Sequence, residues 1–257
     1  NRLYSYSDSL LMSKILSVRD LGLWSVPYKI TFAFQFIPAA LTASIYPAMS
    51  ALFFSDRPRI GVLFAKAWRY LFFVVLPISF GLLAIAESVI VRLYGVSYLP
   101  SVPVLRVLLV SLIFSFLTFV NGATLNAVNK HKTQTALLAL SLLISVTMNW
   151  FLLPVWGIWG AAFTALISNM FLFFGGIIMV RRSVDISTNL IFSYAWKIFI
   201  AAGIMGLSAF VLVQKINFII VIPLAGIIYF AILFLTGALT KDLVLSAIKK
   251  TKGENNN

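Results

Sequence analysis

Long apolar segments separated by short connectors constrain this chain more than any other feature of its sequence. The hydrocarbon core of a bilayer is about 30 Å thick, which takes about 20 helical residues to cross. Seven runs reach this length, so the sequence predicts an all-α bundle of membrane-spanning helices. The predicted spans are 24–54, 68–92, 102–127, 134–155, 158–180, 190–213 and 218–240. The polar stretch 1–17 is expected to be the end of a further, partial helix.

Positive charge alternates between the connectors, which predicts an orientation. Lys and Arg are retained on the cytoplasmic side of a membrane. We therefore expect the connectors near 57–69, 128–133 and 181–189, and the tail 241–257, to be cytoplasmic. The connectors near 18–23, 93–101, 156–157 and 214–217 are then external. The basic residues behind this prediction are Arg57, Arg59, Lys66, Arg69, Lys130, Lys132, Arg181, Arg182, Lys197, Lys241, Lys249, Lys250 and Lys252.

Composition supports a membrane protein and argues against a nucleic-acid partner. The chain is 61% hydrophobic and 11% charged, whereas a soluble domain carries about 25% charged residues. The net charge of +13 is distributed in small groups at the ends of apolar runs, without a continuous basic face or a recognition motif. Membrane lipids are therefore the expected partners of these groups.

The sequence contains no recognisable catalytic or cofactor-binding motif. It has no P-loop, no nucleophile elbow and no paired carboxylates at a useful spacing. Cysteine is absent and His131 is the single histidine, so neither a thiolate site nor a histidine cluster can form from this chain. We expect a protein that is not an enzyme, needs no cofactor, and resembles transporters that lack an ATPase of their own.

Four ionisable residues fall within or near the predicted spans, namely Asp8, Lys14, Lys29 and Arg106. Charges at membrane depth are costly, so they usually face a protein interior or a water-filled cavity. Lys14, Lys29 and Arg106 are candidates for binding an anionic headgroup such as a pyrophosphate, and Asp8 is a candidate ion-coupling site. The alternative is that each side chain snorkels to a nearby interface.

Uncharged polar residues in the spans are expected to hold the helices together. Interhelical hydrogen bonding is favoured over substrate contact for Gln35, Asn121, Asn126, Asn149 and Asn169. Prolines 38, 47, 77 and 223 are expected to bend or break their helices.

Four segments of the chain resemble, in order and spacing, the lipid-linked oligosaccharide flippases. The first runs from Asp8 through the sequence DLGLWSVPYKI, which is similar to the family pattern LGxYSxAYK. The second segment is the pair Ile37-Pro38 followed by YPAMS at 46–50. The third contains LYG at 93–95, Tyr98 and VLRVL at 104–108. The fourth is NWFLLPVWGIWGAA, which is similar to NxxLIPxxGxxGAAxAT. This resemblance identifies the chain with the polysaccharide branch of the multidrug/oligosaccharidyl-lipid/polysaccharide exporter superfamily.

The resemblance implies a fold of fourteen helices, of which this chain would supply half of helix seven through helix fourteen. It divides the chain into a second six-helix lobe (1–189), a final helix pair (190–240) and a tail (241–257). It also implies alternating-access flipping of an undecaprenyl-pyrophosphate-linked oligosaccharide across the cytoplasmic (inner) membrane, for O-antigen, capsule or exopolysaccharide synthesis. Polysaccharide assembly proteins are possible further partners. The alternatives are a multidrug or peptidoglycan-precursor exporter of the same superfamily, and a membrane polysaccharide polymerase or scaffold.

Overall fold

The computed structural model describes residues 12–186 and 188–237, with the backbone alone for 188–190. Every regular element in this part of the chain is a helix, and residues 12–15 add a short helical turn before the first long one. The helices are α1 (Val18–Ala33), α2 (Phe36–Ser55), α3 (Arg57–Tyr94), α4 (Ser101–Ala127), α5 (His131–Trp156), α6 (Ile158–Arg181), α7 (Thr188–Val213) and α8 (Phe218–Leu235), with a 3-10 turn at Val96–Tyr98.

The described residues contain seven helical spans that are long and apolar enough to cross a membrane, as the sequence predicts. Helices α1 and α2 together form the first span, Val18–Ser55. The break between them falls at Phe34 and Gln35. Pro38 explains the position of this break, because it lacks the N–H that would bond to the Phe34 carbonyl and its ring crowds that carbonyl.

The predicted connector near 57–69 is wrong, since these residues form the start of α3. Pro58 lies in the first turn, where its fixed φ and missing N–H favour a helix start. Asp56 binds Arg59 there at 2.9 Å. Hydropathy marks only the apolar part of a helix, and α3, at about 57 Å by its rise per residue, continues well beyond the hydrocarbon core. The predicted connector near 18–23 is likewise helical, as the start of α1.

Helix α4 is the centre of the bundle and contacts α1, α2, α3, α5 and α6. Helix α7 packs along α3, and α8 packs against both. The large apolar core therefore extends from α4 through α3 to α7 and α8. The division of the chain at 189/190 and the tail from 241 stay predictions.

Two small clusters show which connectors share an end of the bundle. Ile60, Val128 and Val184 pack together, which brings the start of α3, the turn after α4 and the turn after α6 to one end. A second cluster joins Trp24 of α1 with Val104 of α4 and Ile158 of α6. The grouping of the basic connectors at one end is thus confirmed for the described residues; which side of the membrane they face stays a prediction.

Two prolines within the helices free carbonyls that residues on other helices then bind. Pro77 cannot donate to the Phe73 carbonyl, and the Tyr229 hydroxyl of α8 donates to that oxygen at 2.8 Å. Pro27 likewise cannot donate to the Leu23 carbonyl, and Ser101 of α4 donates to it at 2.7 Å. Hydroxyl donors from neighbouring helices are what make proline tolerable in a membrane span.

Glycines allow α5 and α6 to form a tight hairpin. Gly157 joins the two helices with φ of 54°, a conformation that residues with a side chain rarely adopt. A Cβ atom at Gly160 would lie 2.6 Å from the Leu152 carbonyl oxygen. The two helix ends can approach this closely only because Gly160 has no side chain.

Candidate functional site

A cavity of about 680 Å³ lies between α1, α2, α4, α5 and α6. Each helix presents one face to it, with lining residues three or four positions apart. Helices α1 and α2 contribute a continuous row from Tyr28 to Tyr46, and α4 contributes a row from Ser115 to Asn126. The volume is within the range of about 300–1,000 Å³ that is usual for small-ligand sites.

Four carboxamides line this cavity, and they divide into two pairs. Asn169 of α6 donates to the Ser111 hydroxyl of α4 at 2.9 Å, and Asn126 lies 3.2 Å from the His131 ring nitrogen Nδ1. The side-chain amides of Gln35 and Gln134 have no hydrogen-bond partner within the part of the chain that the structure describes. The first pair thus has a structural role, whereas the second is available to a ligand.

A glycine on α4 makes room for one of the available amides. A Cβ atom at Gly122 would lie 2.9 Å from Nε2 of Gln134. Both residues line the cavity, so the Gln134 amide packs across the α4 backbone instead of being displaced from it.

Aromatic rings form part of the wall contributed by α1. Tyr28 and Phe32 both line the cavity, and their rings stack with centroids 5.7 Å apart and planes 20° apart. Trp24 extends the stack one turn further at 6.2 Å from Tyr28. The residues are four apart, so the helix repeat alone aligns them on one face.

None of the described residues that line the cavity is charged. Lys14, Lys29 and Arg106 are exposed and are not among the lining residues. The structure therefore does not bring these three candidates together in the cavity, and Asp8 lies outside the described residues. Their proposed roles in headgroup binding and ion coupling stay predictions.

The preference for interhelical hydrogen bonding is confirmed for two of the predicted amides. Besides Asn169, Asn121 of α4 donates to the Phe173 carbonyl of α6 at 3.2 Å. Sequence reasoning did not select Gln134 or Thr118 as site residues, and it favoured a structural role for Gln35. The signal was present, because polar residues recur at 115, 118 and 126 and again at 35, 42 and 46, a helical spacing that marks a shared face.

Comparison with known proteins shows what this chain is similar to. A family model described as "Polysaccharide biosynthesis protein" matches residues 1–103. A Shigella flexneri protein described as "Putative O-antigen transporter" is 23% identical over 158 residues, covering 61% of this chain and 37% of that protein. The structure described as "Lipid II flippase MurJ, inward closed conformation" superposes with a TM-score of 0.67 at 16% identity, over 91% of this chain and 52% of that one.

The chain thus spans about a third to a half of the length of these two proteins. The structural match shows the fold, and the matched proteins are described as transporters or flippases, not as enzymes. Seven apolar spans agree with a multi-pass membrane protein. The first part of the chain is thus similar to polysaccharide biosynthesis proteins, the chain is similar to a relative described as an O-antigen transporter, and it shares its fold with a structure described as a lipid II flippase.

Proposed function

We propose that this protein flips an undecaprenyl-pyrophosphate-linked oligosaccharide across the cytoplasmic membrane for surface polysaccharide synthesis. The observation that carries the proposal is the polar cavity within the apolar bundle. Polar groups at membrane depth are costly unless they are paired or face a water-filled pathway. A cavity of amides and hydroxyls between spanning helices is a suitable passage for a polar headgroup.

The mechanism that fits this site is alternating access. The polar head of the substrate occupies the cavity while its lipid chain stays in the surrounding hydrocarbon, so the apolar tail never crosses a polar region. Rocking of the helices around the site then exposes the head to each side in turn. In this proposal the basic end of the bundle is cytoplasmic, as is the C-terminus.

The exposed cations have an electrostatic role in this proposal. Lys29 follows the cavity residue Tyr28 on α1, and Arg106 lies in the second turn of α4. Together with Lys14 they are proposed to attract the pyrophosphate, and Asp8 is proposed to couple transport to an ion.

Complementation of a flippase-deficient strain tests the function and these residues together. The complete gene is expected to restore surface polysaccharide, and Lys29→Ala and Arg106→Ala are each expected to reduce it at equal protein level. Lys132→Ala is the matched control, because Lys132 is exposed at the basic end. Surface polysaccharide at the wild-type level in both variants would remove Lys29 and Arg106 from the mechanism.

Export of a peptidoglycan precursor is the alternative that the shared fold suggests. Rescue of a strain depleted of its lipid II flippase, without rescue of surface polysaccharide, would favour that alternative. A polysaccharide polymerase would be expected to have a large external loop. In the described part of the chain, the connectors at the end opposite the basic one are short, the longest being residues 95–100 with their single 3-10 turn.

A further inference from the structure

Helix α6 carries two buried hydroxyls that have no hydrogen-bond partner among the described residues. Thr164 and Ser168 are about one turn apart, and they are 0% and 1% exposed. Their side-chain oxygens, Oγ1 and Oγ, are buried without a partner in this part of the chain. A buried hydroxyl without a partner is costly, so two of them on one helix indicate a bound molecule that supplies the missing bonds.

Threonines in other spanning helices use their own backbone instead. A threonine in a helix can donate to the carbonyl four residues before it, and this bond is made by Thr31, Thr42, Thr118 and Thr124. Thr164 and Ser168 make no such bond within the described structure. Their hydroxyls are therefore available to a group in the interface between helices.

Both residues lie on the face of α6 that meets α5. Gly160 is four residues before Thr164, and a Cβ atom there would lie 2.6 Å from the Leu152 carbonyl oxygen of α5. The Ser168 carbonyl accepts a hydrogen bond from the Ser141 hydroxyl of α5 at 3.4 Å. Thr164 lies between these two contacts, at the four-residue spacing that keeps side chains on one face. Its hydroxyl therefore lies in the interface between the two helices.

Helix α5 presents polar groups to the same interface. Three polar residues recur there at four-residue spacing, and each is at most 2% exposed, namely Ser141, Ser145 and Asn149. The Asn149 amide donates to the Ser145 hydroxyl at 3.5 Å. The close contact between Gly160 and Leu152 sets the register of the hairpin, which places Asn149 near the level of Thr164. The interface is thus polar on both sides.

The cavity gives water a route to this interface. Ser145 and Ser168 line the cavity, whereas Thr164 lies one turn beyond it, towards Gly157 at the end opposite the basic connectors. A water molecule both donates and accepts, and buried waters make about three hydrogen bonds each. The hydroxyls of α6 and the polar groups of α5 supply partners of both kinds.

We propose that ordered water occupies the interface between α5 and α6 and binds Thr164 and Ser168, as a narrow branch of the cavity that ends at Thr164. The inference goes beyond the proposed function, because it requires no particular substrate. It also distinguishes this hairpin from α3 and α7, which pack through apolar side chains.

Water-edited solid-state NMR of the full-length protein in liposomes, with isotope-labelled threonine, tests the proposal. The method measures how fast magnetisation passes from water protons to each side chain. The Thr164 signal, assigned by its loss in Thr164→Val, is expected to build up several-fold faster than the Thr124 signal. Thr124 is the matched control, because it is 0% exposed and its hydroxyl donates to the Val120 carbonyl at 2.8 Å. Build-up at Thr164 as slow as at Thr124 would show a dry interface and overturn the inference.

The sign of a stability change gives an independent test. Thr164→Val keeps the shape of the side chain and replaces the hydroxyl by a methyl group. If water binds the hydroxyl, the denaturation midpoint in detergent is expected to fall. A rise would show that the hydroxyl is dry and unmet, because an apolar group is then preferred at this position, and it would contradict the proposal. Thr135→Val, at an exposed threonine of α5, is expected to leave the midpoint unchanged.

A bound cation is the alternative occupant, since hydroxyl and amide oxygens also bind cations. In that case, replacing sodium by choline at constant ionic strength would lower the midpoint of the wild-type protein but not that of Thr164→Val, and the assignment to water would be wrong. With water as the occupant, the two proteins are expected to respond equally to this exchange.

Discussion

Helices α2 and α3 each contain a proline that frees a carbonyl, but the two carbonyls meet different surroundings. In α3, the Phe73 carbonyl is bound by Tyr229, within a region where α3, α7 and α8 pack through apolar and aromatic side chains. In α2, Pro47 cannot donate to the Ala43 carbonyl, and Ala43 is one of the residues that line the cavity. The comparison teaches that a carbonyl freed by proline gains a donor from another helix where α3 packs against α8, whereas the one in α2 belongs to a residue that lines the cavity.

The largest loss of stability is expected when the Tyr229 hydroxyl, which donates to the Phe73 carbonyl, is removed. Tyr229→Phe keeps the ring but leaves the Phe73 carbonyl unpaired, so the free energy of unfolding should fall by about 1–2 kcal/mol. Denaturation of the purified protein in mixed micelles measures this change. Tyr70→Phe, at an exposed tyrosine of α3, is the control.

A double-mutant cycle shows whether this loss acts through the proline. In a Pro77→Ala background, the restored N–H donates to the Phe73 carbonyl, so Tyr229→Phe should then cost only a few tenths of a kcal/mol. The same cost with alanine at position 77 would contradict the pairing of the proline with the tyrosine.

A smaller loss of stability is expected when the Leu23 carbonyl loses its hydroxyl donor, Ser101. Ser101→Ala removes the bond to the Leu23 carbonyl and should destabilise the protein by about 0.5–1 kcal/mol. The bond joins the second turn of α1 to the first turn of α4. Ser183→Ala, at an exposed serine, measures the background in the same denaturation experiment.

The smallest effect on stability is expected in the cavity. Gln134→Leu removes no hydrogen bond within the described structure, so the free energy of unfolding should change by less than about 0.5 kcal/mol. Thermal denaturation in detergent checks this. A loss comparable to that of Tyr229→Phe would show that the Gln134 amide has a structural role, and it would remove the contrast between the two regions.

The number and order of the spans could be predicted from the sequence, because hydropathy and length determine them directly. The start of α3 could not, since Arg57 and Lys66 look like connector residues but are exposed on a helix that extends beyond the apolar run. The break at Phe34 and Gln35 was expected only in general terms from Pro38. Helix continuity outside the bilayer depends on local hydrogen bonds that hydropathy does not report.

The cavity was harder to predict than the fold. Charge at membrane depth directed attention to Lys29 and Arg106, yet both are exposed and neither lines the cavity. The groups that line it are neutral, and their grouping depends on which faces of α2, α4 and α5 meet. Asn169 and Gln35 look alike in the sequence, and only the packing shows that the first has a partner, Ser111, and the second has none among the described residues.

The bond between Tyr229 and Phe73 has a consequence for biogenesis. Its two residues are 156 positions apart, whereas Ser101 follows Leu23 by 78. During synthesis the carbonyl in α1 gains its donor once α4 has been made, but the one in α3 waits until α8 leaves the ribosome. Helix α3 therefore enters the membrane before Tyr229, the residue that binds its Phe73 carbonyl in the folded protein, has been made, so insertion of α8 completes the packed region.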